Sequence, residues 1–209
     1  GKLFLNATHT HSAPNPDVET DFGKWLLEKL GKVVVSAWNN REPAGISRAL
    51  GYAVVGHNRR VQFADGTTEM YGATDRPDFM GLEGSSDPGI GMLFCWDKNE
   101  NLTGIIMNVT CPSQVTEAKY YVSADYWGKV RKQLKERFSK EVYVLAQCGA
   151  AGDQSPRDLP EGYKVGDEWR DDGGIEVITW ENDDSNTANL PEEQTKIVVT
   201  DIQNDGIVL

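Results

Sequence analysis

Histidine and cysteine are both scarce in this chain of 209 residues, with three of each. Cys95, Cys111 and Cys148 form an odd set, so at least one thiol stays unpaired and a disulfide framework is excluded. No stretch approaches the ~20 consecutive apolar residues that would span a bilayer as a helix. Basic residues are outnumbered, with 21 Lys and Arg against 32 Asp and Glu, for a net charge of −11. Such a balance argues against a nucleic-acid partner, whose phosphates need a basic footprint. The start at Gly1-Lys2 shows none of the charged-then-apolar pattern of a signal peptide.

What is present is unevenly spread. Residues 1–152 balance 17 acidic against 17 basic side chains, whereas residues 153–209 hold 15 acidic and 4 basic ones. All the histidines and cysteines fall in the balanced part. With 39% apolar residues and six tryptophans, the chain can bury the core of one sizeable domain. We therefore divide it at about residue 158, with an α/β region over 1–158 and an acidic, divergent segment over 159–209.

Periodicity gives the expected elements. Leu3-Phe4-Leu5 begins a buried strand over residues 3–8. Asp17 or Asp21 caps a helix that carries Trp25, Leu26, Leu30 and Val33-Val34 on its apolar side. That helical reading extends, past an interruption at Pro43 and Gly45, to Ile46 and Leu50. A strand from Tyr52 to Gly56 then delivers His57-Asn58-Arg59-Arg60. Residues 91–96 and 102–109, joined by the polar Asp97–Asn101 connector, read as a hairpin. Residues 124–138 place Trp127, Val130, Leu134 and Phe138 on one helix face. Residues 141–146 read as a buried strand, followed by the small-residue loop Cys148–Pro156. Late in the chain, Ile197-Val198-Val199 is the one convincing strand and 182–186 a loop. Helices interleaved with apolar strands predict an α/β class, a layered mixed β-sheet with flanking helices.

Two of the three histidines sit one residue apart, in Thr8-His9-Thr10-His11-Ser12. In an extended chain His-x-His puts both imidazoles on one face, a disposition that suits a zinc ion. A pair that merely hydrogen-bonds in a polar strand end fits the same spacing. Four loops follow strands: the His9/His11 turn, the Asn58-Arg59 turn, the Cys111-Pro112-Ser113 turn and the Gly152–Ser155 loop. In an open α/β sheet, ligands bind where such loops converge. Arg59 could bind an oxyanion or a carboxylate, or lie on the surface. Cys111 could be a small buried hydrophobe or a soft zinc ligand. Ser155 sits among small residues that admit a substrate to the backbone, although Ser-Pro is also a common turn.

Taken together, these motifs are more specific. Thr8-His9-Thr10-His11-Ser12-Ala13-Pro14 resembles the Thr-His-Thr-His-Ser-Gly-Pro signature of the neutral/alkaline, non-lysosomal ceramidase family. Gly152-Asp153-Gln154-Ser155-Pro156 resembles that family's Gly-Asp-Val-Ser-Pro segment. Asn58-Arg59 is similar to its Asn-Arg-Ser turn, and Ser123–Gly128 to its Ser-x-Asp-x-x-Gly helix start. The motifs follow family order over roughly residues 3–158. The resemblance implies a zinc-dependent hydrolase of an N-acyl bond in a sphingolipid or lipid-like substrate, with peripheral membrane contact through that substrate. It implies His9 as a zinc ligand, His11 and Arg59 against the amide or its oxyanion, and Ser155 as the essential serine. It also implies a secreted or periplasmic setting.

Two departures from the family pattern stand out. Asn108–Ser113 carries Cys111 where the family's segment has its second zinc histidine, so that ligand becomes a thiol. The family's remaining zinc ligands, a glutamate and a tyrosine, have no recognisable counterpart in residues 159–209. These departures motivate one alternative, a non-catalytic or truncated relative that binds without hydrolysis; because a fold does not fix its substrate, a hydrolase of another amide or ester class on the same scaffold is a second.

Overall fold

The Asp97–Asn101 connector folds as its composition dictates. Asp97 Oδ1 accepts from the backbone N–H of Asn99 at 2.8 Å and of Asn101 at 2.9 Å, an Asx turn that reverses the chain. A computed structural model describes residues 3–117 and 121–162. In order these form helix α1 (Asp21–Asn39) and strands β1 (Gly45–Tyr52), β2 (His57–Asn58), β3 (Arg60–Phe63), β4 (Thr68–Met70), β5 (Phe79–Leu82), β6 (Gly89–Trp96) and β7 (Leu102–Val109). Helix α2 (Tyr126–Arg137), strands β8 (Tyr143–Cys148) and β9 (Gln154–Ser155), and the short α3 (Leu159–Gly162) follow. The expected late strand at 197–199, the loop at 182–186 and nearly all of the acidic segment lie outside the described residues.

The main sheet has the order β1-β6-β7-β8, antiparallel except for the parallel β7–β8 pair. This is the mixed sheet of an α/β fold, as the sequence predicts. Cross-strand register sets Ala49, Met92, Met107 and Ala146 in one row and Ser47, Phe94, Ile105 and Val144 in the next, all on one face. Helix α2 covers that face with Tyr126, Trp127 and Val130, each at most 4% exposed. Two smaller sheets, β4-β3-β5 and β2-β9, hang from one end. Leu159, fully buried, packs with Val61 and Phe63 under the first of these.

Three local expectations need correction. The helix stops at Asn39, where the Asn40 N–H still reaches Ser36 O at 3.0 Å, and does not continue to Leu50. Gly45–Tyr52 is instead strand β1, whose exposure alternates residue by residue from Ser47 onward. The small inward residues Ser47, Ala49 and Gly51 give that alternation no hydrophobic signature, and Ile46 and Leu50 happen to share a helical spacing. Tyr52 accordingly ends a strand and does not begin one. The cap of α1 is Thr20, whose side chain accepts the Gly23 N–H at 3.0 Å; Asp17 spends its carboxylate on Glu19 N instead.

Residues 3–8 form no strand, and Leu3, Phe4 and Leu5 are 60, 77 and 72% exposed. A strand needs a neighbour's free backbone groups as well as apolar side chains. This segment meets β8 only at its last residue, where Cys148 N–H reaches Ala7 O and Asn6 Oδ1, both at 3.3 Å.

Candidate active site

Parallel pairing of β7 and β8, with Val109 opposite Cys148, sends the loops after both strands out of the same end of the sheet. Gly149 N–H bonds Val109 O at 2.9 Å, and a Cβ on Gly149 would stand 2.8 Å from Thr110 Oγ1. The two loops are thus pressed together, and glycine is the residue that permits it. The Ala7–His11 segment lies over them. Thr8 O accepts from Ser113 N at 3.3 Å and Ser113 Oγ at 2.9 Å, and His11 N donates to Ser113 O at 3.0 Å.

The fourth loop arrives through Gly56, where a Cβ would sit 2.4 Å from Thr110 O. Beyond it β2 pairs with β9, setting His57 opposite Ser155 and Asn58 opposite Gln154. Arg59 N then donates to Asp153 O at 2.8 Å, and Asn58 Nδ2 to Asp153 Oδ2 at 3.0 Å. The His9/His11 turn, which follows no strand, and the three strand-following loops therefore meet at one end of the described fold.

His9 and His11 come together by a turn and not by a strand pleat. His9 has φ +54°, in the left-handed region, and the two rings stack at 5.2 Å with 25° between planes. Near-parallel rings send their in-plane nitrogens along parallel planes, which suits separate roles better than two bonds to one ion. Burial first, then the neighbouring His11 and Arg59, lowers the pKa of His9, so its imidazole is neutral at pH 7. His11 Nδ1 meets Glu117 Oε2 at 3.0 Å.

Arg59 anchors the other side. Its Nη2 donates to Gly152 O at 2.8 Å, and its Nη1 to Tyr71 Oη at 3.0 Å and Gln114 Oε1 at 3.5 Å. Gln114 Nε2 closes the chain of contacts, reaching both Tyr71 Oη and Glu117 Oε2. A continuous polar network thus runs from His11 through Glu117, Gln114 and Tyr71 to Arg59. The guanidinium groups of Arg59 and Arg157 stand 5.4 and 5.9 Å from the Tyr71 ring centroid. Arg59 Nε is buried and makes no hydrogen bond within the described residues.

Tyr71, Gln114 and Glu117 were not read from the sequence as site residues. Gln114 and Glu117 follow Cys111 at three-residue steps, a spacing that a turn over the strand end could have suggested. For Tyr71, which arrives on the small β3–β4–β5 unit, no sequence signal points to the site.

Ser155 lies beside this network without joining it. It is 1% exposed, and its Oγ accepts from Arg157 N at 3.2 Å. Across the two-residue ladder, His57 Nδ1 stands 3.6 Å from Asp158 Oδ2. Cys111 lies below, fully buried in the main core, with its thiol directed at Pro112 O at 3.5 Å. Its carbonyl accepts from Tyr126 Oη at 2.9 Å and Cys148 Sγ at 3.5 Å. Burial, with Cys148 and Asp125 nearby, raises the Cys111 pKa well above that of an ordinary thiol, so it stays protonated. Zinc ligation would have to displace that proton, since the thiolate is the ligand. Among the described residues, no three His, Cys, Asp or Glu side chains converge on a point where a metal could bind. As they stand, the described residues do not make a zinc site.

No family model matches the chain, and no curated protein sequence matches it. Solved structures that resemble its fold include two ceramidases. One is the neutral ceramidase from Pseudomonas aeruginosa, with 22% identity and a TM-score of 0.56 over 76% of this chain and 26% of that one. The other is a ceramidase complexed with C2, with 21% identity and a TM-score of 0.55 over 73% of this chain and 25% of that one. The fold is therefore that of a part of a ceramidase, and the chain spans about a quarter of the length of these proteins.

Proposed function

We propose that the chain is a ceramidase-like hydrolase unit whose site takes the N-acyl amide of a sphingolipid or lipid-like substrate. The observation that carries this reading is the convergence of His9, His11 and Arg59 over the shared end of β7 and β8. Arg59 would donate to the amide oxygen as it gains charge, and His11, oriented by Glu117, would hold the substrate on the opposite side. Ser155 is the candidate nucleophile, carried over by resemblance. To attack a carbonyl it must release the Arg157 N–H and turn toward the network. The resemblance also implies zinc, which would polarise the carbonyl or activate water. The described residues do not fit that ion. A secreted or periplasmic setting and a lipid partner belong to the same proposal.

The test is release of fatty acid from N-acyl sphingosine in mixed micelles, with elemental analysis on the same preparation. Turnover that falls about a hundredfold in Arg59→Ala, the typical cost of removing one oxyanion donor, supports the reading. Turnover unchanged by both Arg59→Ala and Ser155→Ala sinks it. Stoichiometric zinc in active protein would locate ligands outside the described residues.

A second reading rests on one observation, the enclosure of Ser155. On that reading the unit binds the amide without cleaving it. It predicts saturable binding of an N-acyl sphingosine, lost in Arg59→Ala, with no fatty acid released by the parent protein.

A further inference from the structure

The polar network has one hydrogen that it does not use itself. Arg59 can only donate, and the carboxylate of Glu117 accepts. Gln114, 3% exposed, lies between them, with Oε1 3.5 Å from Arg59 Nη1 and Nε2 3.4 Å from Glu117 Oε2. Those two neighbours fix which end of its amide is oxygen. Gln114 Nε2 is therefore a donor where it meets Tyr71 Oη, and so is Arg59 Nη1 at 3.0 Å. The phenolic oxygen accepts twice, so its own hydrogen must leave in a third direction, away from both. Several contacts hold that hydroxyl in place. The β3–β4 register, with Arg60 opposite Met70, sets Tyr71 against Arg59, whose backbone oxygen accepts the Tyr71 N–H at 2.7 Å. Tyr71 has φ +56°, in the left-handed region that a bulky side chain rarely adopts. A Cβ on the next residue, Gly72, would stand 3.0 Å from Val61 Cβ, so the turn is pressed onto β3. A large residue kept in so strained a conformation points to a side chain whose position matters.

We propose that Tyr71 is a catalytic residue whose Oη–H donates to the substrate's acyl oxygen as that oxygen gains charge, a role that rests on the hydrolase reading above. Its hydroxyl sits between Arg59 on one side and, through Gln114, Glu117 and His11 on the other. Hydrogen bonds accepted from a guanidinium and an amide polarise the phenol and make its remaining O–H a stronger donor. Such a group suits an oxygen that is becoming negative. As a nucleophile adds to the carbonyl carbon, the π pair of the C=O bond moves onto oxygen. Two donors then meet it, Arg59 cationic and Tyr71 neutral. The pair returns to the carbonyl as the C–N bond breaks, and water supplies the oxygen of the acid and the hydrogen of the amine. The Tyr71 proton stays on its own oxygen throughout.

Tyr71→Phe removes only the hydroxyl. Arg59 Nη1 keeps Gln114 Oε1 and Gln114 Nε2 keeps Glu117 Oε2, so circular dichroism should be unchanged. With N-octanoyl sphingosine in mixed micelles, kcat should fall about a hundredfold while KM barely moves, as for a contact made only in the transition state. Added to Arg59→Ala, the same substitution should lower kcat by about tenfold or more again. No further loss there would mean that Tyr71 only positions Arg59, and would overturn the proposal, as would a parental kcat in Tyr71→Phe. A second arm needs no turnover. Octylphosphonate, whose tetrahedral anion copies the charged oxygen, should bind the parent protein and bind Tyr71→Phe about tenfold or more weakly by calorimetry. Equal binding by both, or none by the parent, also overturns the donor role. A parent that holds octylphosphonate through Tyr71 but neither cleaves nor binds N-octanoyl sphingosine removes the sphingolipid reading and supports the donor.

Discussion

Replacing Asp125 separates an ordinary helix cap from a structural tie. Asp125 precedes α2, is 6% exposed as a residue, and both of its carboxylate oxygens are hydrogen-bonded. Its Oδ1 accepts Tyr126 N at 2.9 Å, while Oδ2 accepts both Thr116 N and Thr116 Oγ1 at 2.9 Å. Thr116 Oγ1 in turn shares a 2.8 Å hydrogen bond with Ser12 Oγ, next to His11. The backbone at Asp125 is strained, with φ +53° and ψ −148°, close to a region that few residues but glycine occupy. An ordinary N-cap loss costs about 1 kcal/mol. Here the loss of a buried acceptor leaves two backbone donors unpaired, so Asp125→Ala should cost roughly 3–5 kcal/mol. Asp125→Gly loses the same acceptors but relieves the strain, and should be less damaging by about 1 kcal/mol or more. Urea unfolding followed by circular dichroism measures both, with a midpoint shift of order 1–2 M expected for the alanine variant. A loss near 1 kcal/mol for alanine would refute the tie, and equal losses for alanine and glycine would refute the strain.

Other substitutions test neighbouring steps. Gly56→Ala should destabilise by about 1–3 kcal/mol, because its Cβ would meet the backbone oxygen of Thr110 at 2.4 Å. Gly31→Ala, with nothing within 4 Å of its Cβ in a helix interior, should instead stabilise by up to ~1 kcal/mol in the same assay. The His9 imidazole should titrate below 6.5 by NMR, and Arg59→Ala, which removes one of the three causes, should raise that midpoint. Because the folded state holds the lower pKa, the unfolded chain takes up this proton first. The contribution of His9 to stability is therefore complete above about pH 6.5 and declines as the pH falls below it.

Much of the scaffold was legible because its signals are local. The β6–β7 hairpin announces itself through two apolar runs joined by the polar Asp97–Asn101 connector, and α2 through the spacing of Trp127, Val130 and Leu134. Strand β1 was not legible, because its inward side chains are Ser47, Ala49 and Gly51, which bury well but carry no hydrophobic signature. The four loops were legible as candidate neighbours, but their meeting rests on the parallel β7–β8 pair and the β2–β9 ladder, which are long-range pairings. The network through Tyr71, Gln114 and Glu117 was not legible, since it depends on a small sheet whose docking is a long-range event. Spacing also misjudged how His9 meets His11, because a positive φ at a histidine leaves no mark in composition.

The β2–β9 ladder holds only two residue pairs, yet it joins positions about a hundred residues apart in the chain. Closing so long a loop for so few hydrogen bonds is entropically unrewarding until the main sheet already stands. The site end is therefore expected to form after the main sheet, and its amide protons to exchange before those of β6 and β7 in native-state hydrogen exchange. Residues 153–158, which carry Ser155, thus belong to a unit that can come away while β1, β6, β7 and β8 stay paired.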